Sequence, residues 1–313
     1  MLSTHENSLP FWTARPVLIY GPHKSGSTLL QRLLDGHSSI WCYPMELKLK
    51  FMTLAPPASR LDAAVANQKF CQLQGFAHEK WDGEKFMNLQ KDLYETCIGL
   101  GGYIQGMAWV SWQCAAVAPR QPQMWLAKEV GGRTGPVLNA WRHLFYDGKV
   151  VFILRHPLHV VRSIVLLRLR TGKSMSLHRT YRALNDTLRV TWDCASRASE
   201  PWAFPVVYEK LTSPDKQDLM QHLCDFLGVE FEPVVLGPTL FGEKAVVGTS
   251  SKQTTEVFEP EKDWKTGLGM MHILWMSLVY WVLNNYYSFK VGKWKMRDYT
   301  ALSAELNRLA GEK

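Results

Sequence analysis

The sequence predicts an α/β fold of three layers, with helices on both faces of a mostly parallel sheet. Short apolar runs alternate along the chain with segments of helical spacing, an alternation that is typical of strand–helix–strand units. The clearest strand is residues 149–154, K-V-V-F-I-L, in which apolar side chains follow one another without interruption. A strand of this kind is buried on both faces, as a central strand of a parallel sheet must be.

The other elements follow from local pattern and from turn residues. Further strands are predicted at residues 16–20, 40–43 (ending at Pro44), 124–128 and 204–208. Helices are predicted from Ser27 onward and at residues 62–73, 84–98 (ended by glycines 99–102), 136–145, 158–170, 177–197 and 213–227. We expect one domain over residues 1–313, in which residues 46–122 form a mainly helical cover and residues 266–313 a C-terminal helical region.

Composition narrows the class of protein. The chain has 313 residues, of which 46% are hydrophobic, so it can bury a large core. The net charge of +8 suits an anionic ligand, but no run of Lys and Arg is long enough to indicate nucleic-acid binding. The six cysteines are scattered and form no C-x-x-C pair, which disfavours zinc and redox motifs and fits free thiols in a reducing compartment.

Hydropathy indicates neither secretion nor membrane insertion. The N-terminal residues lack a basic segment followed by an apolar core, so no signal peptide is predicted. The most apolar stretch, residues 273–283, is too short to span a bilayer and is interpreted as a buried or groove-lining helix. We therefore expect a cytoplasmic protein without a membrane partner.

The stretch P-V-L-I-Y-G-P-H-K-S-G-S-T-L-L joins a strand, a glycine-containing loop and the start of a helix. This arrangement directs backbone N–H groups and the positive end of a helix at one place, where a phosphate or sulfate can bind. Gly21 and Gly26 have the spacing of a nucleotide phosphate loop, but Ser27 stands where that motif has its lysine. The loop lysine is Lys24, and an ordinary strand–helix turn stays open from this stretch alone.

A second candidate anion site follows the strand at residues 149–154. Arg155 comes directly after this strand, and Ser163 lies eight residues further along, in the next predicted helix. Because the carboxyl ends of parallel strands share one edge of the sheet, we expect Arg155 on the same edge as Lys24. A guanidinium and a hydroxyl there suit a second phosphate, although a helix-capping Arg155 and a merely small Ser163 are an equal alternative.

These stretches together resemble segments of the sulfotransferases that use 3′-phosphoadenosine 5′-phosphosulfate (PAPS). L-I-Y-G-P-H-K-S-G-S-T-L-L is similar to the 5′-phosphosulfate loop of that family, and V-F-I-L-R-H-P-L-H-V-V-R-S to its 3′-phosphate segment. V-V-Y-E-K-L followed by D-F-L-G is similar to a third segment, and all three occur in the family's order. The resemblance implies a nucleotide-kinase-like α/β fold and sulfuryl transfer from PAPS, which leaves 3′,5′-ADP, without a metal.

The resemblance also implies roles for individual residues. Arg155 and Ser163 would hold the 3′-phosphate, and Tyr208 would lie near the adenine. The family's late phosphate-binding loop is poorly kept, and Lys252 is our candidate for it. His156 stands where the family usually has Asp, which we interpret as a tolerated change. The 5′-phosphosulfate would be held by His23, Lys24, Ser25, Gly26, Ser27 and Thr28.

Sulfuryl transfer needs a cation at the leaving group and a base at the acceptor. Charge develops on the leaving phosphate, so Lys24 inside the loop suits transition-state stabilisation. Many members of the family have a His shortly after the strand that is predicted to end at Lys128, but this chain reads A-K-E-V-G-G there. Other members use a Glu beyond the first helix, and for the base we favour Glu46, with Glu129 second.

The sequence thus predicts a PAPS-dependent sulfotransferase whose acceptor is a hydroxyl or amine of a small molecule. One alternative is a P-loop kinase or other nucleotide phosphotransferase, which Ser27 and Arg155 disfavour, because they replace the loop lysine and a metal-binding Asp. Another alternative is a non-catalytic PAPS- or nucleotide-binding protein. We expect no metal site and no nucleic-acid partner, and we leave a homodimer open.

Overall fold

The structure is a computed structural model of the chain. It describes residues 9–49, 79–97, 99–117, 121–131, 134–245, 247–248, 253–254, 257, 261 and 263–313. The predicted helix at residues 62–73 and the candidate Lys252 lie outside the described residues.

A parallel sheet of five strands in the order β2-β3-β1-β4-β5 forms the centre of the structure. Its strand β1 pairs with β3 on one side and with β4 on the other. The sheet confirms the predicted α/β class, and its strands are β1 (Pro16–Gly21), β2 (Ile40–Glu46), β3 (Met124–Val130), β4 (Lys149–Leu154) and β5 (Ala203–Val207).

Ten α-helices occur in the described part of the chain. The first five are α1 (Ser27–Leu34), α2 (Gly83–Thr96), α3 (Gly99–Gln113), α4 (Thr134–Leu144) and α5 (Pro157–Arg170). The others are α6 (Leu177–Arg197), α7 (Tyr208–Leu211), α8 (Lys216–Leu227), α9 (Met270–Lys290) and α10 (Tyr299–Gly311). Two small antiparallel pairs, Thr239–Leu240 with Glu243–Lys244 and Val247–Gly248 with Gln253–Thr254, complete the strands.

Alternation along β1 explains why the sheet is covered on both faces. Successive side chains of a strand point to opposite faces, and all six residues of β1 are buried. Leu18 and Tyr20 belong to one apolar cluster, while Val17 and Ile19 belong to a second cluster on the other face. The first cluster includes side chains of α3, α4, α5, α6 and α9, and the second includes those of α1 and α8.

Strand β2 is longer than the sequence predicts. The proline at position 44 was expected to end it, but the strand continues to Glu46, with an irregular register between Cys42 and Glu46. β2 is the edge strand of the sheet, and an edge strand tolerates a proline because the missing N–H can face away from the neighbouring strand. The extension carries Glu46 to the carboxyl edge, beside Lys128 of β3.

Several other element boundaries differ from the prediction, most of them by one or two residues, and three of them change where a helix begins or ends. The glycines at 99–102 do not merely end α2, since Gly99 begins α3 only three residues after α2 ends at Thr96. Tyr208 opens α7 instead of closing β5, and α8 begins at Lys216 rather than near Ser213. Each shift falls at a helix end, where local patterns specify the boundary least.

No helix in the described ranges has the length and apolar character needed to cross a membrane. The five cysteines within those ranges are all free thiols: Cys42, Cys97, Cys114, Cys194 and Cys224.

Candidate functional site

The loop between β1 and α1 is held in a tight turn that exposes Lys24. Ser25 is fully buried, and its hydroxyl donates a hydrogen bond of 2.7 Å to the carbonyl oxygen of Pro22. Lys24 and Gly26 adopt positive φ angles of 63° and 107°, in the left-handed region that favours glycine. The fold of the loop thus buries its serine and leaves the Lys24 side chain at the surface.

Both loop glycines are required by close approaches of neighbouring elements. A Cβ atom on Gly21 would lie 2.2 Å from the carbonyl oxygen of Ile153 in β4. A Cβ atom on Gly26 would lie 2.3 Å from the ring of Tyr208, in addition to its positive φ. The two glycines therefore allow β4 and α7 to pack directly on the loop.

Arg155 reaches the loop from the end of β4. Its guanidinium carbon lies 4.3 Å from the centre of the Tyr208 ring, and its Nη1 donates to the carbonyl oxygen of Lys24 at 3.5 Å. The residue is 9% exposed, and in the described part of the chain its buried Nε has no hydrogen-bond partner. A buried guanidinium with an unused donor is suited to an anion. The expected common edge for Lys24 and Arg155 is thus observed.

The helix that follows Arg155 is capped by its neighbour, not by Arg155. His156 is the N-cap residue of α5, and its Nδ1 accepts from the N–H of Leu158 at 3.2 Å. Burial lowers the pKa of His156 to about 4, so the imidazole is neutral at physiological pH and can accept this bond. Ser163 is buried within α5, and its hydroxyl donates to the carbonyl oxygen of His159 at 2.9 Å. Binding of a phosphate by Ser163 would require this proton to turn toward the ligand.

Glu209 links the segment that follows β4 to the C-terminal part of the chain through hydrogen bonds. Its Oε1 accepts from the backbone N–H of His156 at 3.1 Å, and its Oε2 accepts from the hydroxyl of Tyr299 at 3.0 Å. The ring of His156 also contacts the rings of Tyr280 and Tyr299, at centroid distances of 5.8 Å and 4.8 Å. Helices α9 and α10 thus support the segment that carries Arg155.

Lys128 is a second lysine at the loop, which the sequence interpretation did not include among the site residues. Its Nζ donates to the hydroxyl oxygen of Thr28, the second residue of α1, at 3.1 Å. Glu46 is its register partner in β2, and the carboxylate of Glu46 is ion-paired with Lys48 at 2.6 Å. The available signal was a lysine at the end of an apolar strand, on the edge where the two anion-site stretches were already expected.

Burial lowers the pKa of Lys128 to about 8, and the positive charges of Arg32 and Lys48 add to this effect. The carboxylate of Glu46 acts in the opposite direction, because it favours the ammonium form. Lys128 therefore gains or loses its proton close to neutral pH, which an exposed lysine does not.

The remaining candidates lie in different surroundings. His23 is exposed, and its ring packs at Gly131, where a Cβ atom would lie 2.6 Å from Nε2. Glu129 is fully buried next to Lys128 in β3, and it follows from strand geometry that the two side chains leave opposite faces of the sheet. Its negative charge contributes to the raised pKa of Tyr20, which is raised mainly by burial. Glu46, and not Glu129, is therefore on the side of Lys128 and Thr28.

A sequence model described as the sulfotransferase family matches residues 16–233, which include both anion-site stretches and all five strands of the sheet. The chain belongs to the sulfotransferase family. A search of curated protein sequences gives no match. Among the described residues of this sulfotransferase, no three His, Cys, Asp or Glu side chains are grouped so that they could hold a metal ion.

Two solved structures share the fold. The sulfotransferase domain from the curacin biosynthetic pathway is 22% identical over 84% of this chain and 96% of its own, with a TM-score of 0.52. The sulfotransferase domain from the olefin synthase of Synechococcus PCC 7002 is 20% identical over 84% of this chain and 94% of its own, with a TM-score of 0.51. At these identities the likeness establishes the fold alone.

The titration of Lys128 can be tested directly. In ¹³C spectra of the lysine ε-carbons, we expect one signal with a midpoint near pH 8, absent from the Lys128→Met variant. Glu46→Gln should move that midpoint to lower pH, because it removes the charge that favours the ammonium form. A midpoint in the ordinary range of lysines, or an upward shift in Glu46→Gln, would contradict this account of the site.

Proposed function

We propose that this sulfotransferase transfers the sulfuryl group of PAPS to a hydroxyl or amine of a small molecule. The observation that carries the proposal is the convergence of Lys24 and Arg155 on one loop, with Arg155 bonded to the backbone of Lys24 itself. Two cations from separate stretches suit a ligand with two anionic groups, such as a 3′,5′-bisphosphorylated nucleoside. The five cysteines in the described ranges are free thiols, which favours a reducing location, and we propose the cytoplasm.

The residues present fit such a cofactor. The exposed ammonium of Lys24 and the N–H groups at the start of α1 would hold the phosphosulfate, together with Ser27 and Thr28. The unused Nε of Arg155 supports a role for this guanidinium at the 3′-phosphate, with Ser163 as its partner. Tyr208 is buried under Arg155 and Gly26, so an edge of its ring is the part that an adenine could contact. PAPS, when bound, supplies the sulfuryl group, and 3′,5′-ADP is the leaving group.

Two lysines would stabilise the negative charge that develops on the leaving side. Lys24 is exposed at the surface of the loop, and Lys128 lies at its base, bonded to Thr28. Fixed cations of this kind lower the barrier because they need no reorganisation during the reaction. Lys128 contributes this charge only while it is protonated, which ties its contribution to pH values below about 8.

Glu46 is the group that we propose as the base for the acceptor. It is partly exposed at the carboxyl edge and lies beside Lys128, whereas Glu129 is fully buried. A base must reach the acceptor proton, so access favours Glu46. The ion pair with Lys48 would hold its carboxylate in position while the proton is transferred.

Ligand-dependent thermal stability tests the proposed cofactor class. A ligand that binds the native state raises the unfolding temperature, so 3′,5′-ADP should stabilise the protein and ATP with magnesium should not. Arg155→Ala should abolish the shift given by 3′,5′-ADP. A screen of phenol, alcohol and amine acceptors, followed by release of 3′,5′-ADP from PAPS, then identifies the acceptor class. Stabilisation by ATP with magnesium alone would support the kinase alternative instead.

Replacement of Lys24 tests its role in the transition state. Lys24→Ala should reduce kcat about 10²–10³-fold and change the affinity for 3′,5′-ADP much less, because the charge that Lys24 stabilises is concentrated in the transition state. Lys173→Ala, at an exposed lysine beyond α5, is the matched control and should leave both quantities unchanged. An unchanged kcat in Lys24→Ala would refute the role given to Lys24.

Replacement of Glu46 tests the choice of base. Glu46→Gln keeps the size of the side chain and removes its basicity, so kcat should fall at least about 10²-fold while 3′,5′-ADP still binds. Glu129→Gln is the comparison, and we expect a smaller effect on kcat because Glu129 is fully buried. If Glu129→Gln abolishes turnover and Glu46→Gln does not, the assignment of the base is wrong.

A further inference from the structure

Helix α9 presents an apolar face that no described part of the chain covers. Its inner side packs on α6, where Met276 and Tyr287 are buried. Eight of the fourteen exposed large apolar side chains in the described residues lie on its outer side. Six of them form a continuous stripe, which we call the outer face of α9: Met271, Leu274, Leu278, Val282, Tyr286 and Phe289.

The sequence interpretation expected this segment to be buried or to line a groove, and the structure corrects that expectation for the outer face. Trp281, at the margin of the stripe, is 67% exposed. Lys290 is the one charged residue of α9, and it lies at the last position. The only polar side chain within the stripe, Asn285, donates its amide to the carbonyl oxygen of Trp281 at 2.7 Å and so satisfies itself locally. An exposed apolar patch of this extent marks an interaction surface.

The six residues of the stripe are spaced symmetrically about position 280. Met271 and Phe289 each lie nine residues from Tyr280, Leu274 and Tyr286 each lie six residues away, and Leu278 and Val282 each lie two residues away. An interface with a two-fold axis places one patch against the identical patch, so residue i meets residue j and residue j meets residue i. Two antiparallel α9 helices that cross at the level of residue 280, between Leu278 and Val282, would therefore place each apolar side chain of the stripe against an apolar side chain.

The area of the outer face matches what a stable dimer needs. Aromatic side chains offer roughly 150–250 Å² each. Tyr286 and Phe289 of the outer face and Trp281 at its margin are 56–74% exposed. The aliphatic and methionine side chains add on the order of 100 Å² each when exposed. Together they present about 800 Å², which is the area that each partner buries in a standard interface.

The charges at the two ends of α9 favour the antiparallel arrangement. From the last residue of α9 onward, four of the five charged residues between 290 and 298 are basic. Before α9, the charged residues between 261 and 269 are two acidic ones, Glu261 and Asp263, and two basic ones, Lys262 and Lys265, so this stretch of sequence has no net charge. A parallel pair would bring the two basic ends together, whereas an antiparallel pair keeps them apart and sets each beside a segment without net charge.

We propose that a second copy of this chain docks on the outer face of α9 and forms a two-fold symmetric dimer, with its axis on that face at the level of residue 280. The surface is distinct from the loop and from Arg155, so the proposal does not depend on the cofactor or on the reaction.

Sedimentation velocity of the full chain at micromolar concentration tests the dimer. We expect twice the chain mass of 35.8 kDa for the wild type. Leu278→Asp should sediment as a monomer, with a dimer dissociation constant raised at least about 100-fold, because it sets two carboxylates against apolar side chains at the axis. Leu278 is 58% exposed, so the unfolding temperature should stay close to that of the isolated wild-type subunit. Leu169→Asp, at a 50% exposed leucine of α5, is the matched control and should stay dimeric.

The antiparallel pairing of residue 271 with residue 289 of the second copy can be tested by disulfide cross-linking. In the double variant Met271→Cys, Phe289→Cys, mild oxidation should link two chains, whereas each single variant should give no more cross-link than the parent protein with its six native cysteines. A monomeric wild type, a dimer that survives Leu278→Asp, or cross-linking by the single variants would overturn the proposal. Binding of a monomeric wild type to phosphatidylglycerol vesicles would also overturn it, since the face would then dock on lipid.

Discussion

The stack of Gly26, Tyr208 and Arg155 is the contact on which the site depends. These residues come from the loop after β1, the start of α7 and the end of β4, and the stack holds the three segments together at the carboxyl edge of the sheet. Burying a guanidinium costs free energy, which the ring of Tyr208 and the carbonyl of Lys24 offset only in part. A bound anion, as proposed, would offset the rest of this cost.

Burying the charge of Lys128 also costs free energy, and this cost makes the free energy of unfolding depend on pH. Its pKa is lowered from an ordinary value of 10.5 to about 8 on folding, mainly by burial. Below pH 8 the lysine is charged in both the folded and the unfolded state, so the cost of burying the charge is fully present. Between pH 8 and 10.5 the unfolded state binds more protons, so this cost is relieved as the pH rises. An anion at the loop would offset the same cost at neutral pH by stabilising the ammonium form that is already present.

Local signals were enough for part of this architecture. The conformations of β4 and of the loop around Lys24 are specified by their own residues, an uninterrupted apolar run and a pair of glycines. The central strand, the loop and the edge carrying Arg155 could therefore be predicted. Lys128 could not be recognised in that way, because its contact with Thr28 joins residues 100 positions apart and depends on strand register. The length of β2 beyond Pro44 depends likewise on its place at the edge of the sheet.

Helix α9 illustrates a different limit, because apolar residues all round a helix do not tell which side the fold covers. Its inner side carries Tyr280, whose ring stacks on His156, the neighbour of Arg155. Since burial holds the pKa of His156 near 4, this contact is between neutral rings at physiological pH. Packing, and not charge, would then connect the centre of the proposed dimer with the segment that carries Arg155. Such a connection would be insensitive to salt, unlike the binding of an anion by Lys24 and Arg155.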